Sequence, residues 1–246
     1  MKTLNPIYLD ETKTITQEEI EYFKQQNLAL NREISQKLSR PGREVIQDGV
    51  FDYEGYLRSR VKILWLMKEP YDVGGGGWHI SELYKKEFGR DRTTWYPIVN
   101  VSHSILNNFY PLAKEQRIRK GNSSLKRVLL HIAYMNVQKL PSETGVNTDN
   151  GVIFSAFRDE LRKDLFVRQF ALLNPDIIIG ANTLWMMFDH FGLKGEGLSC
   201  KPTENSYVVN GKLFINTKHP AHRGNKTIYM ENIVLAAKGW YQHINN

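Results

Sequence analysis

Four short apolar runs punctuate this chain, and each gives way to a cluster of polar residues. They are Ile63-Leu64-Trp65-Leu66-Met67, the stretch Val128 to Val137 ("VLLHIAYMNV"), Asp176 to Gly180 ("DIIIG"), and "KLFIN" from Lys212. Unbroken apolar runs of this length predict strands buried on both faces, although the start of the second can also be read as helix. Between them the apolar spacing changes to three and four. Thr16 with Glu19 forms a capping box opening a helix to about Leu38, which Arg40-Pro41-Gly42 ends. A short helical stretch covers Tyr53 to Arg58, and a long amphipathic helix runs from about Val152 to Leu173, stopped by Asn174-Pro175. Further helices are predicted from Thr183 to Phe191 and from about Lys226 to His243. In "YVVNGKLFIN", Asn210-Gly211 between two apolar arms is a strong hairpin signal.

Strands alternating with helices predict an α/β fold, a three-layer sandwich with a central, mostly parallel four-stranded sheet flanked by helices. Its core strands begin near residues 61, 130, 176 and 212. Residues 1–50 read as an N-terminal helical extension and residues 51–246 as the α/β domain. In such sheets, ligands bind beyond the carboxyl ends of the strands. Lys68 to Asp72, Asn136 to Lys139, Gly180 to Thr183 and Asn216 to His222 are therefore expected to face one crevice.

Composition narrows the partner. A hydrophobic fraction of 41% over 246 residues supplies a substantial core. The excess of 33 Lys+Arg over 26 Asp+Glu, a net +7, favours a polyanion such as nucleic acid. The stretch from Lys114 to Arg127, with Arg119, Lys120 and Lys126, reads equally well as a phosphate-contacting patch or a solvated loop. Cys200 is the only cysteine, which excludes an intrachain disulfide and any cysteine-ligated zinc or iron–sulfur site without partners. No metal or cofactor is expected. The first twenty residues lack a long apolar segment, so a cytoplasmic monomer without a membrane partner is predicted.

The first strand breaks into "KEPYDVGGGGW". Glu69 and Asp72 bracket Pro70-Tyr71, so a stiffened turn projects two carboxylates near one place. Lys68 can pair with one of them. The glycine run is a flexible loop, or a place where backbone amides approach a phosphodiester; without a following Gly-Lys-Ser/Thr it is not a Walker loop. Asn136, directly after the second strand, can donate and accept at once, which suits one edge of a nucleobase or the tying of a turn. In "FINTKHPAHRG", Pro220 restricts the backbone of His219 and so its imidazole, with Lys218 before it and His222 and Arg223 after it. Ser102, His103 and Ser104 are adjacent, and adjacent residues do not by themselves make a hydrolytic triad.

Together "KEPYD", "AYMNVQK", "DIIIGANT" and "INTKHPAHR" resemble the uracil-DNA glycosylase superfamily in order and approximate spacing, over about residues 61–225. That family carries a Gly-Gln-Asp-Pro-Tyr-His type motif after its first strand, an Asn after the second and a His-Pro-Ser type motif after the last. The resemblance implies a DNA glycosylase that hydrolyses the N-glycosidic bond of a flipped-out uracil or other damaged or modified base, in single- or double-stranded DNA. Glu69 matches the water-activating acid, with Asp72 as a second candidate, and His219 would donate to the departing base. Tyr71 would wall the pocket, Asn136 read the base and Trp78 stack on it. Lys68, Arg119, Lys120, Lys126, His222 and Arg223 would contact DNA. Here Met67-Lys68-Glu69 replaces Gly-Gln-Asp, Asp72 replaces His, and "AHRG" replaces the segment bearing the family's apolar wedge. Those departures leave room for a base other than uracil, and for a non-catalytic binder of DNA or of a modified base, for example in defence against foreign DNA.

Overall fold

The computed structural model describes residues 6–84, 92–111, 124–142, 149–193 and 206–245. Its strands are β1 (Gly49–Val50), β2 (Ile63–Met67), β3 (Ile132–Asn136), β4 (Ile177–Ala181), β5 (Ser206–Val209) and β6 (Lys212–Thr217). They form one sheet in the spatial order β1-β3-β2-β4-β6-β5. The four apolar runs are its parallel centre, β3-β2-β4-β6, with β1 and β5 antiparallel at the two edges. Among the described residues the sheet thus has six strands rather than the expected four. β1 is two residues long and too short to leave a periodic signal, while β5 is the outer arm of the expected hairpin. Asn210 (φ 51°) and Gly211 (φ 76°) both adopt the left-handed backbone that a tight hairpin turn requires.

The helices are α1 (Gln17–Leu38), α2 (Tyr53–Leu57), α3 (Arg92–Leu106), α4 (Asn150–Arg158), α5 (Glu160–Leu173), α6 (Phe188–Phe191) and α7 (Lys226–Ile244). The Thr16–Glu19 capping box is present at α1. The second apolar run resolves both of its readings, with a 3-10 helix over Ser124–His131 leading into β3. The long helix expected over 152–173 is two helices. Asp159 is extended (φ −66°, ψ 120°) and its carboxylate accepts from the Arg162 amide at 2.9 Å, capping a new helix in the middle of the pattern.

Alternation along each strand sends side chains to opposite faces. Ile63, Trp65, Ile132, Ile179 and Ile215 join the core under α3 and α7. Leu64, Leu66, Met135, Ile178 and Phe214 join the core containing Phe157 of α4 and Phe166 of α5. Three layers follow, and each fully buried aliphatic side chain contributes roughly 1.5–3 kcal/mol. The segment before residue 51 is part of this body. Phe23 enters the second cluster, Leu30, Ile34 and Leu38 pack with Leu165, and β1 pairs with β3. Among the described residues no helix is long and apolar enough to cross a membrane.

Candidate active site

Leu66, Gly180 and Asn216 share one row across the sheet, and Met67 pairs with Asn136 in the next. Glu69 lies three residues past Leu66, and His219 three past Asn216, so both leave the sheet at one level. β4 separates their strands, which puts two strand spacings, roughly 10 Å, between the two exits. Thr183 closes the floor between them, its hydroxyl donating to the Leu66 carbonyl at 2.9 Å. The four strand ends are thus gathered at one carboxyl edge.

At the β2 end, pairing with the β3 side continues beyond the strands. Gln138 N–H donates to the Lys68 carbonyl at 2.9 Å, Ser142 N–H to Pro70 at 2.9 Å, and Asp72 N–H to Ser142 at 3.0 Å. This extension brings the Ser142 hydroxyl 2.6 Å from Oε2 of Glu69, to which it donates. Lys68 turns elsewhere and donates to Asn150 Oδ1 at 2.7 Å. Burial lowers the Lys68 pKa, against the opposing pull of Glu69. Tyr71 is 41% exposed beside this turn.

The glycine run has a structural use. Gly74 and Gly76 donate to the Asp72 carboxylate at 2.9 and 3.1 Å, Gly75 to the Asp72 carbonyl at 3.4 Å, and Gly77 to the Val45 carbonyl at 3.3 Å. Gly76 (φ 94°) also lies so close to residue 44 that a Cβ would sit 2.0 Å from the Glu44 carbonyl oxygen. All four amides are taken up inside the protein, which overturns the reading of this loop as a phosphate cradle. The Asp72 carboxylate also receives the Trp78 indole N–H at 2.7 Å, and the Trp78 ring packs on the core. The structure therefore gives Asp72 and Trp78 the geometry of a loop anchor.

At the β6 end, Ala221 N–H donates to Nδ1 of His219 at 3.1 Å, so the neutral imidazole carries its proton on Nε2. His222 Nδ1–H donates to the His219 carbonyl at 3.0 Å, and its ring lies 4.7 Å from that of Tyr229. Burial, with Lys226 and Lys218 nearby, lowers the His222 pKa. Lys226 donates to the carbonyls of Pro220 and His222, closing the loop on itself. A cavity of about 300 Å³ lies between β6 and the start of α7, lined among others by Thr217, Lys218, His222 and Tyr229. Neither Glu69 nor Asn136 lines it.

Asn136 is fully buried. Its backbone N–H and its Nδ2 both donate to Asp48 Oδ2, at 2.7 and 3.3 Å, whereas its Oδ1 has no partner among the described residues. At the β4 end stands Trp185, 42% exposed, its indole N–H donating to the Asn182 carbonyl at 3.2 Å. It stacks on Phe154 (centroids 6.2 Å apart, planes at 13°), and the Arg158 guanidinium lies 4.1 Å from the Phe154 ring centre. Asp48, Ser142 and Trp185 are absent from the expected set. Only Trp185, just beyond an apolar run, left a trace in the sequence.

Of the expected DNA contacts, Arg223 is exposed and Lys126 lies 5.2 Å from the centre of the Tyr84 ring, while Arg119 and Lys120 fall outside the described residues. Ser102, His103 and Ser104 act separately. Ser102 accepts from the Trp65 indole at 3.0 Å, His103 bonds the Tyr8 hydroxyl at 2.5 Å, and Ser104 donates to the Tyr110 carbonyl at 2.5 Å. Among the described residues no group of three or more His, Cys, Asp or Glu could hold a metal ion. No protein-family model matches the chain, and no curated protein matches it.

Proposed function

We propose that this chain is a DNA glycosylase, hydrolysing the N-glycosidic bond of a base turned out of the stack into the carboxyl-edge crevice. The observation that carries this reading is the shared row of Leu66, Gly180 and Asn216, from which the chain runs three residues to Glu69 on one side of β4 and three to His219 on the other. Glu69, oriented by Ser142, directs water at the anomeric carbon and takes its proton as the carbon–nitrogen bond breaks. The bonding electrons leave with the base, and the Nε2–H of His219 stabilises the negative charge that gathers on the base's carbonyl oxygen. The departing base anion then takes up a proton from solvent and Glu69 returns its own to solvent, so the products are the free base and an abasic sugar. Asn136 reads the base edge. Trp185 offers the exposed aromatic face that Trp78, bonded into its loop, is less able to offer.

The test uses single- and double-stranded oligonucleotides carrying uracil, hypoxanthine, hydroxymethylcytosine or glucosylated hydroxymethylcytosine, with alkali to cut at any abasic site. Breaks are expected with at least one base, and they should fall about 100-fold or more in Glu69→Gln and His219→Ala. Variants that cut as well as the parent would show the assigned chemistry to be wrong. Tight binding with no base released would favour a non-catalytic binder of DNA or of a modified base.

A further inference from the structure

Asp48 lies just before β1 and is 1% exposed, with every acceptor position of its carboxylate filled. Oδ1 receives Lys139 Nζ at 2.7 Å and Gln169 Nε2 at 2.9 Å, and Oδ2 receives the Asn136 backbone and side-chain N–H groups. Lys139 also donates to Gln169 Oε1 at 2.6 Å, and Asn31 of α1 donates to the Asp48 carbonyl at 3.2 Å. Four separate segments converge on one buried ion pair. Such a pair is a poor device for stability alone, since well-packed apolar residues often hold helices as well or better.

Its effect on Asn136 is specific. A flipped amide would set Oδ1 against the carboxylate oxygen that Nδ2 now faces, two acceptors at hydrogen-bond distance. The occupied Asp48 carboxylate therefore holds the Asn136 nitrogen inward and leaves the oxygen as the group that needs a donor. That oxygen is buried, has no partner among the described residues, and belongs to the last residue of β3 in the row of Met67. A buried carbonyl left unpaired carries an uncompensated desolvation cost, which a ligand's N–H would recover.

We infer that Asp48, held by Lys139 and Gln169, is a positioning residue that locks Asn136 as a hydrogen-bond acceptor, so that the crevice selects a nucleobase edge presenting an N–H. This rests on the reading of Asn136 as the base-contacting residue. The imide N–H of a uracil-like base or the amino group of a cytosine-like base meets the requirement; the same bases methylated at those nitrogens do not.

The experiment follows the Asn136 side-chain amide by 1H–15N NMR while deoxyuridine, 3-methyldeoxyuridine, deoxycytidine and N4,N4-dimethyldeoxycytidine are titrated separately. The donor-bearing member of at least one pair should shift the Asn136 signals and bind at least about tenfold more tightly than its methylated partner. The double variant Asp48→Leu, Lys139→Met removes the acceptor that locks Asn136 without leaving a buried cation, and its backbone spectrum reports folding. In it the preference should collapse and the Asn136 side-chain amide signals should move away from their positions in the parent. Equal binding within both pairs, no shift with any nucleoside, or an unchanged preference in a folded double variant would overturn the inference. Preference without base release would reject the hydrolytic reading alone; base release with an unchanged preference would reject the positioning role alone.

Discussion

At the β2 end, Glu69 takes its orientation from Ser142, its loop leans on backbone 44–47, and the neighbouring Asn136 answers to Asp48, Lys139 and Gln169. At the β6 end, the bonds from Ala221, His222 and Lys226 fall between residues 219 and 226, and the Tyr229 hydroxyl adds a bond from nearby α7 to the Lys218 carbonyl at 3.0 Å. A loop closed by near neighbours gives up little chain entropy and can readjust without disturbing the sheet. A residue braced by distant segments is held firmly, and its supports are also supports of the fold. On the acid side, then, chemistry and stability are hard to separate. On the imidazole side they come apart.

The largest expected effect breaks the acid side. Lys139→Met leaves the Asp48 carboxylate buried without its cation and should lower stability by about 3–5 kcal/mol in urea unfolding, with much of the loss restored when Asp48→Asn is added. Acidification sharpens the contrast by locating a loss that belongs to neither side. Burial pushes the His131 imidazole down to about 4, against 6.5 when unfolded, and burial also lowers His103 across the Tyr8 ring. Between those values the unfolded chain binds more protons. The His131 contribution is therefore complete above about pH 6.5 and declines as pH falls to about 4, by roughly 3 kcal/mol. Thermal melts across that range should slope downward in the parent and less so in His131→Asn. The smallest effect on stability tests the β6 side. Lys226→Met frees the Pro220 and His222 carbonyls and should change unfolding free energy by less than about 1 kcal/mol, yet slow base release about tenfold or more. A large stability loss there, or undiminished release, would erase the proposed difference between the sides.

The parallel centre of the sheet was legible because strands buried on both faces need unbroken apolar runs, and the hairpin because only certain residues tolerate its turn. The break at Asp159 was harder to see: an aspartate inside an amphipathic pattern looks like another exposed position until its carboxylate is found on the Arg162 amide. Four glycines in a row suggested an approach to phosphate, since the sequence does not show that backbone 44–45 is the surface they approach. Lys139 was legible only as one of the strand-end groups expected to face the crevice, Asp48, 91 residues away, drew no expectation, and nothing local marks a pair that becomes buried only when α1, β1 and α5 assemble. The strand-end residues Glu69, Asn136 and His219 were findable because topology alone sends them to one edge.

β1 bears on how this chain can be shortened. A fragment begun at residue 51, where the predicted helical extension gives way to the α/β domain, would lose Gly49 and Val50 and uncover the backbone of Ala133 and Tyr134 along β3. It would also lack Asp48, leaving Lys139 a solitary cation in the interior. An open strand beside a destabilised core is a template for pairing with other copies. Such a fragment should precipitate or associate rather than behave as a trimmed, working domain.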